Sequence, residues 1–175
     1  MFPSMCSIRW EMVMKRQNSL GIAAFLGAAL LSQVASAASL AEQMIGTWEL
    51  ISNTENYSDG STYKWDPDAK GQLILGVNGS FSLQIGVGAR KPAEGNPALN
   101  PVGRYIGYFG SYTVNETDKT FVFRIVRASF PAWDGSEQKR VISEISDTTL
   151  TYKAEKPIPS PKGTFTPVLI WSRIK

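Results

Sequence analysis

The sequence predicts an all-β protein, an eight-stranded antiparallel up-and-down barrel with a short N-terminal helical turn. Eight strand-like segments lie near residues 46, 71, 80, 111, 121, 138, 148 and 168, separated by turn residues. Short strands at this spacing indicate a sandwich or a barrel. The ends favour the barrel, because Trp48 lies in the first strand and Arg173 in the last. Closure makes these strands neighbours, so the guanidinium can stack on the indole and contribute roughly 0.5 to 2 kcal/mol.

The helical turn covers residues 39–44, with Ser39 as the N-cap and Glu42 completing a capping box. It should close the base of the barrel beneath Trp48, in a strand whose apolar residues alternate with polar ones. The pair Asn78 and Gly79 predicts a tight hairpin with a type I′ turn, which needs positive φ at both residues.

The second half of the chain is predicted to contain a long loop followed by the remaining strands. Residues 88–104 contain three prolines and few apolar residues, which predicts a long loop at the barrel mouth. Residues 120–130 form the most continuously apolar strand. Residues 138–145 and 148–155 form a hairpin, and residues 168–175 close the barrel.

Residues 1–37 are typical of a secretory signal peptide, with Met12 or Met14 as alternative start sites. Lys15 and Arg16 precede an apolar run over residues 20–31, and residues 35–37 are a small-residue cleavage site. The run is shorter than the roughly 20 residues of a membrane span. We therefore expect export to the periplasm or secretion, with no stable membrane span after cleavage and residues 38–175 as the barrel domain.

Composition excludes several classes of function. The chain contains no histidine and one cysteine, Cys6, which falls in the signal segment. A thiol nucleophile or a zinc site with nitrogen or sulfur ligands is therefore not expected in the barrel. Much of the net positive charge also lies in the signal segment, so no basic face for nucleic acid is predicted. We expect no cofactor and no metal, and the balance leans against an enzyme.

Four segments resemble the lipocalin-like domains of bacteria and fungi, which are short stand-alone barrels. They are Ile-Gly-Thr-Trp-Glu-Leu from residue 45, Asp-Pro-Asp-Ala-Lys-Gly-Gln-Leu-Ile-Leu from residue 66, Tyr-Phe-Gly-Ser-Tyr-Thr-Val from residue 108, and Phe-Pro-Ala-Trp-Asp-Gly-Ser-Glu-Gln-Lys-Arg from residue 130. The resemblance implies a central cavity for a small apolar or amphipathic molecule and no fixed chemistry, since relatives bind, isomerise or cyclise. Family members often carry histidines where this chain has Phe123 and Arg124, so an imidazole-dependent activity is not expected.

The candidate ligand-binding residues are aromatic or basic side chains of the middle strands. A buried arginine needs an anionic partner, which a ligand carboxylate or phenolate could supply. Residues three apart on a strand point to opposite faces unless a bulge intervenes, so one of the two arginines is expected to face the lumen. The open alternatives are solvated or paired arginines and simple core packing of the aromatic residues. The candidates are Tyr105, Tyr108, Tyr112, Phe123, Arg124, Arg127 and Trp133, while Gly46, Trp48 and Arg173 are assigned to barrel closure.

Three functions are compatible with these observations. The leading hypothesis is an exported barrel that binds one small hydrophobic or amphipathic molecule. The second is an isomerase or cyclase that uses lumen tyrosine and arginine to polarise a carbonyl. The third is a structural barrel with a solid interior. The ligand and the oligomeric state are left open by the sequence.

Overall fold

The computed structural model describes residues 38–88 and 104–175. These residues belong to one compact unit, Ser36–Lys175. The predicted signal segment and most of the predicted loop at residues 88–104 lie outside the described residues.

The described residues form one short α-helix, a short 3-10 helix and ten strands. The long strands lie where apolar and polar residues alternate, because one face of each strand packs into the interior. The last strand is longer than predicted at its start, since it begins at Gly163 and not at residue 168. In chain order the elements are α1 (Leu40–Met44), β1 (Gly46–Tyr57), β2 (Thr62–Lys64), β3 (Lys70–Leu75), β4 (Ser80–Val87), β5 (Arg104–Asn115), β6 (Thr120–Ala128), the 3-10 helix (Pro131–Trp133), β7 (Glu137–Ile145), β8 (Thr149–Ala154), β9 (Ile158–Ser160) and β10 (Gly163–Arg173).

Eight antiparallel strands close into a barrel in the order β1, β3, β4, β5, β6, β7, β8 and β10. The pairing of β1 with β10 closes the sheet. The predicted eight-stranded barrel is therefore confirmed. Two further strands extend the sheet: β2 pairs with the second half of β1, and β9 pairs with the beginning of β10. Each has three residues, too few to show a repeating apolar pattern in the sequence.

Trp48 and Arg173 meet at one end of the barrel, as the sequence predicts. They are opposite one another in the β1 and β10 register, and the guanidinium carbon of Arg173 lies 4.0 Å from the indole ring centre. The Trp48 indole N–H donates to the Met44 carbonyl at 3.0 Å. Trp48 and Met44 are both fully buried, so α1 seals this end, which we call the closed end.

Gly46 has two reasons to be glycine at the closed end. Its φ is +140°, a conformation that residues with a side chain rarely adopt. A Cβ at this position would also lie 2.5 Å from Nη1 of Arg173. The glycine two residues before Trp48 thus makes room for the arginine that covers the indole.

Both local residues and one residue far along the chain cap α1. Ser39 and Glu42 form the predicted capping box. In addition, the Glu116 carboxylate accepts from the backbone N–H groups of Leu40 and Ala41 at 2.8 and 3.0 Å. A carboxylate at a helix N-terminus is favourable because it satisfies N–H groups that lack partners within the helix. Glu116, which follows β5, therefore fixes α1 to the barrel.

The hairpin predicted at Asn78 and Gly79 is present, but its turn is not type I′. Gly79 has φ +77°, whereas Asn78 is not among the residues with positive φ. The Gly79 N–H donates to the Gly76 carbonyl at 3.0 Å, which is typical of an ordinary turn followed by a glycine bulge. The Asn78 side chain accepts from the Ser80 N–H at 3.1 Å, and this bond holds Asn78 in its turn conformation.

Aromatic rings fill the interior between the closed end and the middle of the barrel. Phe123 lies at the centre of this group, 4.2 Å from Phe81 and 4.9 Å from Phe121 between ring centres. Tyr152 continues the group and lies 6.4 Å from Trp171. The Phe121–Phe123 pair is edge-to-face, and such pairs add stability beyond the burial of their area. Among the described residues, no helix is long and apolar enough to cross a membrane.

Candidate ligand-binding cavity

The end of the barrel opposite Trp48, which we call the open end, contains a cavity of about 590 Å³. This volume lies within the range of small-molecule sites in proteins. The later half of β1, the end of β4, the start of β5 and the start of β10 contribute to its walls, and the segment after β6 covers one side. Apolar side chains dominate the walls, among them Trp65, Leu83, Ile85, Ile106, Trp133, Phe165 and Leu169.

Arg140 is a buried cation in the wall of this cavity. It lies on β7 opposite Phe121 of β6, and the inward orientation of Phe121 places the arginine inside. Only 9% of the residue is exposed. Its Nη1 donates to the Lys139 carbonyl at 3.2 Å, and its Nη2 donates to the Gln138 side chain. Both acceptors are neutral oxygens.

A buried carboxylate, Glu55, lies on the β1 wall of the same cavity. One oxygen accepts from the Trp65 indole N–H and the other from the Tyr57 hydroxyl, both at 2.8 Å. The bond to Glu55 is the largest of the effects that raise the pKa of Tyr57. Beside it on the same strand, Asn53 is 5% exposed, and its side-chain oxygen has no hydrogen-bond partner among the described residues. The β1 wall therefore offers acceptors, and the β7 wall offers donors.

Tyr108 places a phenol between the aromatic interior and the cavity. Burial raises the pKa of its hydroxyl, and the charge of Arg140 and a hydrogen bond with it oppose that rise. The Tyr108 ring contacts Phe123 and Trp133 edge-to-face, at 5.9 and 5.6 Å between ring centres. Tyr108 is thus held in position by its ring, and its hydroxyl stays protonated at neutral pH and can donate to a ligand.

The expectation that Arg124 or Arg127 faces the lumen is wrong. Arg124 is exposed and pairs with Glu137 at 2.7 Å, and Arg127 is exposed and pairs with Asp134 at 2.6 Å. The reason is a bulge in β6, where Arg127 pairs with Phe109 and Ile125 with Gly110, so the residue between them has no partner. Because of this extra residue, the side chains of both arginines point to the same, outer face of the sheet.

Three aromatic candidates also do not line the cavity. Tyr105 is 42% exposed on the outer face, where its hydroxyl donates to Gln84. Tyr112 points inward, but near the closed end, and its hydroxyl donates to the Gly76 carbonyl at 3.1 Å. Phe123 is fully buried within the aromatic interior. Of the seven candidates, Tyr108 and Trp133 are the two that the structure brings to the cavity.

Sequence reasoning missed the polar groups of the cavity, Arg140, Gln138, Glu55 and Asn53. Arg140 belongs to a run of four polar residues from Glu137, which is typical of an exposed strand end. One signal could have found it, since Arg140 and Ile142 share strand parity and Ile142 is buried. Glu55 and Asn53 are an odd number of residues from Leu50, so simple alternation would place them on the opposite face of the strand. The bulge between Leu50 and Ser52 turns them to the inward face that Leu50 occupies.

The described residues contain no group of three or more histidine, cysteine, aspartate or glutamate side chains placed to hold a metal ion.

The closed eight-stranded barrel and its internal cavity define the class of small barrels with the calycin architecture. Within that class, the chain belongs to the lipocalin-like domain family, whose model matches residues 45–174. The family resemblance expected from the sequence is confirmed. No curated protein matches the chain significantly.

Three solved structures are similar to this chain at low sequence identity and low TM-score. A redesigned β-barrel is 17% identical, with a TM-score of 0.41, and the match covers 80% of this chain and 99% of that one. EF1p2_mFAP2b bound to DFHBI is 18% identical, with a TM-score of 0.42, over 77% of this chain and 96% of that one. A mutant of the fluorescent protein UnaG is 15% identical, with a TM-score of 0.34, over 78% and 99% of the two chains.

Proposed function

We propose that this protein binds one small amphipathic molecule in the cavity at the open end of its barrel. The observation that supports this proposal is the cavity of about 590 Å³, which is lined mainly by apolar side chains and carries a few buried polar groups. Sites with this combination bury an apolar ligand and orient it through its polar atoms.

The two other functions expected from the sequence have less support. A solid structural barrel does not fit a cavity of this volume. An isomerase or cyclase stays a prediction, with Tyr108 and Arg140 as the residues that would polarise a carbonyl in place of Arg124. Its test is product formation by Tyr108→Phe in any reaction found, and unaltered turnover would remove the hypothesis.

Export is part of the proposal and is supported by the sequence pattern of residues 1–37. The protein would then meet its ligand outside the cytoplasm, after removal of the signal segment. The mass of the protein purified from the extracytoplasmic fraction checks this, and a mass that includes residues 1–37 would contradict it.

Titration with the neutral fluorescent probe N-phenyl-1-naphthylamine tests the binding function. We expect probe emission to rise and saturate at one probe per barrel, and decanol to reverse the rise by competition. Ile106→Trp should weaken probe binding several-fold, because Ile106 lines the cavity and a larger side chain takes up its space.

The matched control is Ile74→Trp, the same substitution on the outer face of β3, where the residue is 41% exposed. It should bind the probe as the wild type does. Equal effects of the two substitutions, or no saturable binding by the wild type, would contradict a site inside the barrel.

A further inference from the structure

We propose that Arg140 anchors an anionic oxygen of the ligand, so that the ligand class is an amphipathic organic acid. The proposal rests on the binding function above and names the chemistry that the cavity selects. It is carried by the position of an unneutralised guanidinium in the cavity wall.

Arg140 is buried without a negative partner. No carboxylate oxygen of the described residues lies within 4.0 Å of its guanidinium nitrogens, and its partners are a backbone carbonyl, an amide side chain and the Tyr108 hydroxyl, all of them neutral. A guanidinium carries five N–H donors. A buried charge is costly unless it is paired, so the protein alone leaves this cation incompletely compensated.

The charged neighbours of Arg140 do not supply the missing charge. Lys139, the preceding residue, pairs with Glu155 at 2.7 Å, and Glu137 pairs with Arg124. Glu137 and Glu155 therefore already have cations of their own, and no ion pair joins the Glu55 carboxylate of the same cavity to Arg140, so the guanidinium has no direct anionic partner among the described residues. A ligand oxyanion could form the two parallel N–H···O bonds that suit a guanidinium.

The opposite wall disfavours an anion. Glu55 lies on β1, which β10 and β8 separate from β7 in the barrel. Its carboxylate takes neutral donors from Trp65 and Tyr57, and the Asn53 oxygen beside it is a further acceptor. An acidic group would be repelled there and attracted at Arg140. The apolar walls between them would hold the body of the ligand, including Ile85, Ile106 and Leu169.

A pair of probes that differ by one anionic group tests the proposal. 1-Anilinonaphthalene-8-sulfonate is N-phenyl-1-naphthylamine with an added sulfonate, which stands in for the ligand oxyanion. Arg140→Met removes the charge and replaces the aliphatic part of the arginine side chain with an unbranched apolar chain. We expect it to weaken binding of the anionic probe roughly 10- to 100-fold, as the loss of hydrogen bonds to a charged group predicts. Binding of the neutral probe should change less than about twofold, since its contacts are apolar.

The matched control is Arg124→Met, which removes the same charge from the outer face. It should leave the affinity for both probes unchanged. A second arm uses the wild type alone, in which decanoate should displace the neutral probe at a lower concentration than decanol. This arm does not depend on the folding of a variant.

The outcomes separate the anchor from the binding function. If the wild type binds neither probe, the cavity itself is not a binding site. If the neutral probe binds but Arg140→Met leaves the anionic probe unaffected, or decanol competes as well as decanoate, the binding function stands and the Arg140 anchor is wrong. Equal weakening of both probes by Arg140→Met would also overturn the anchor.

Discussion

Two arginines at opposite ends of the barrel differ in what surrounds them. At the closed end, Arg173 donates to the backbone carbonyls of Asp147, Ile45 and Gln43 at 2.8, 2.6 and 2.5 Å and stacks on Trp48. At the open end, Arg140 has only neutral partners, the Lys139 carbonyl, the Gln138 side chain and the Tyr108 hydroxyl, and it faces a cavity. The protein supplies backbone carbonyls from distant segments and an indole face to the first cation, and it supplies neither to the second.

The two residues therefore have different roles in the protein. Arg173 joins three segments of chain, because its three acceptors lie before β1 and between β7 and β8. Its contacts exist only in the folded barrel, so they contribute to stability. Two of the acceptors of Arg140 lie within two residues along the chain, and its more distant partner is the neutral Tyr108 hydroxyl on β5. The burial of Arg140 costs free energy that a ligand could recover.

The largest expected effect on stability is at the closed end. Arg173→Ala should lower the free energy of unfolding by about 2 to 4 kcal/mol, because three carbonyls lose a charged donor and Trp48 loses its cover. Urea unfolding followed by tryptophan emission measures this change.

Arg173→Lys sharpens the result. Lysine keeps the charge but cannot reproduce the planar fork that reaches three carbonyls, so it should recover only part of the loss. Full recovery would mean that charge over the indole matters and that the three directed hydrogen bonds do not.

The two ends also differ in how much of them could be predicted. The closed end follows from topology, because antiparallel closure places the first strand beside the last and leaves Trp48 and Arg173 in register. Ser39 and Glu42 are three residues apart, so their capping box depends on local sequence alone.

The open end depends on features that strand parity does not reveal. Bulges in β1, β6 and β7 each change which residues point inward, and the bulge in β6 turned both Arg124 and Arg127 outward. The buried arginine without an anionic partner is Arg140, which lies at the end of a run of polar residues that is typical of an exposed strand end.

A smaller effect on stability is expected at the open end. Arg140→Met should change the free energy of unfolding by less than about 1 kcal/mol in either direction, because a buried cation without a carboxylate is replaced by an apolar side chain. The same urea experiment compares it directly with Arg173→Ala. A loss as large as that of Arg173→Ala would show that Arg140 has a structural role like that of Arg173, and the contrast between the two ends would fail.

The smallest effect is expected between the two ends, at Tyr152. Its hydroxyl is buried and has no geometrically acceptable hydrogen-bond partner among the described residues, although Trp171 lies close to it. Burial raises the pKa of this hydroxyl well above its ordinary value. At pH 7, Tyr152→Phe should therefore be neutral or stabilising by up to about 1 kcal/mol, because it removes a polar group whose burial is not compensated.

The pH dependence of stability checks the same side chain independently. Below pH 10, Tyr152 is protonated in both the folded and the unfolded chain, and it makes no difference to the slope. Above an unfolded pKa of about 10, the unfolded chain loses this proton while the folded barrel retains it, so stability falls by up to roughly 1.4 kcal/mol per pH unit. Tyr152→Phe should flatten this fall, because phenylalanine has no proton to lose. Equal slopes above pH 10 for Tyr152→Phe and wild type would show that the Tyr152 hydroxyl reaches solvent or a partner in the folded state.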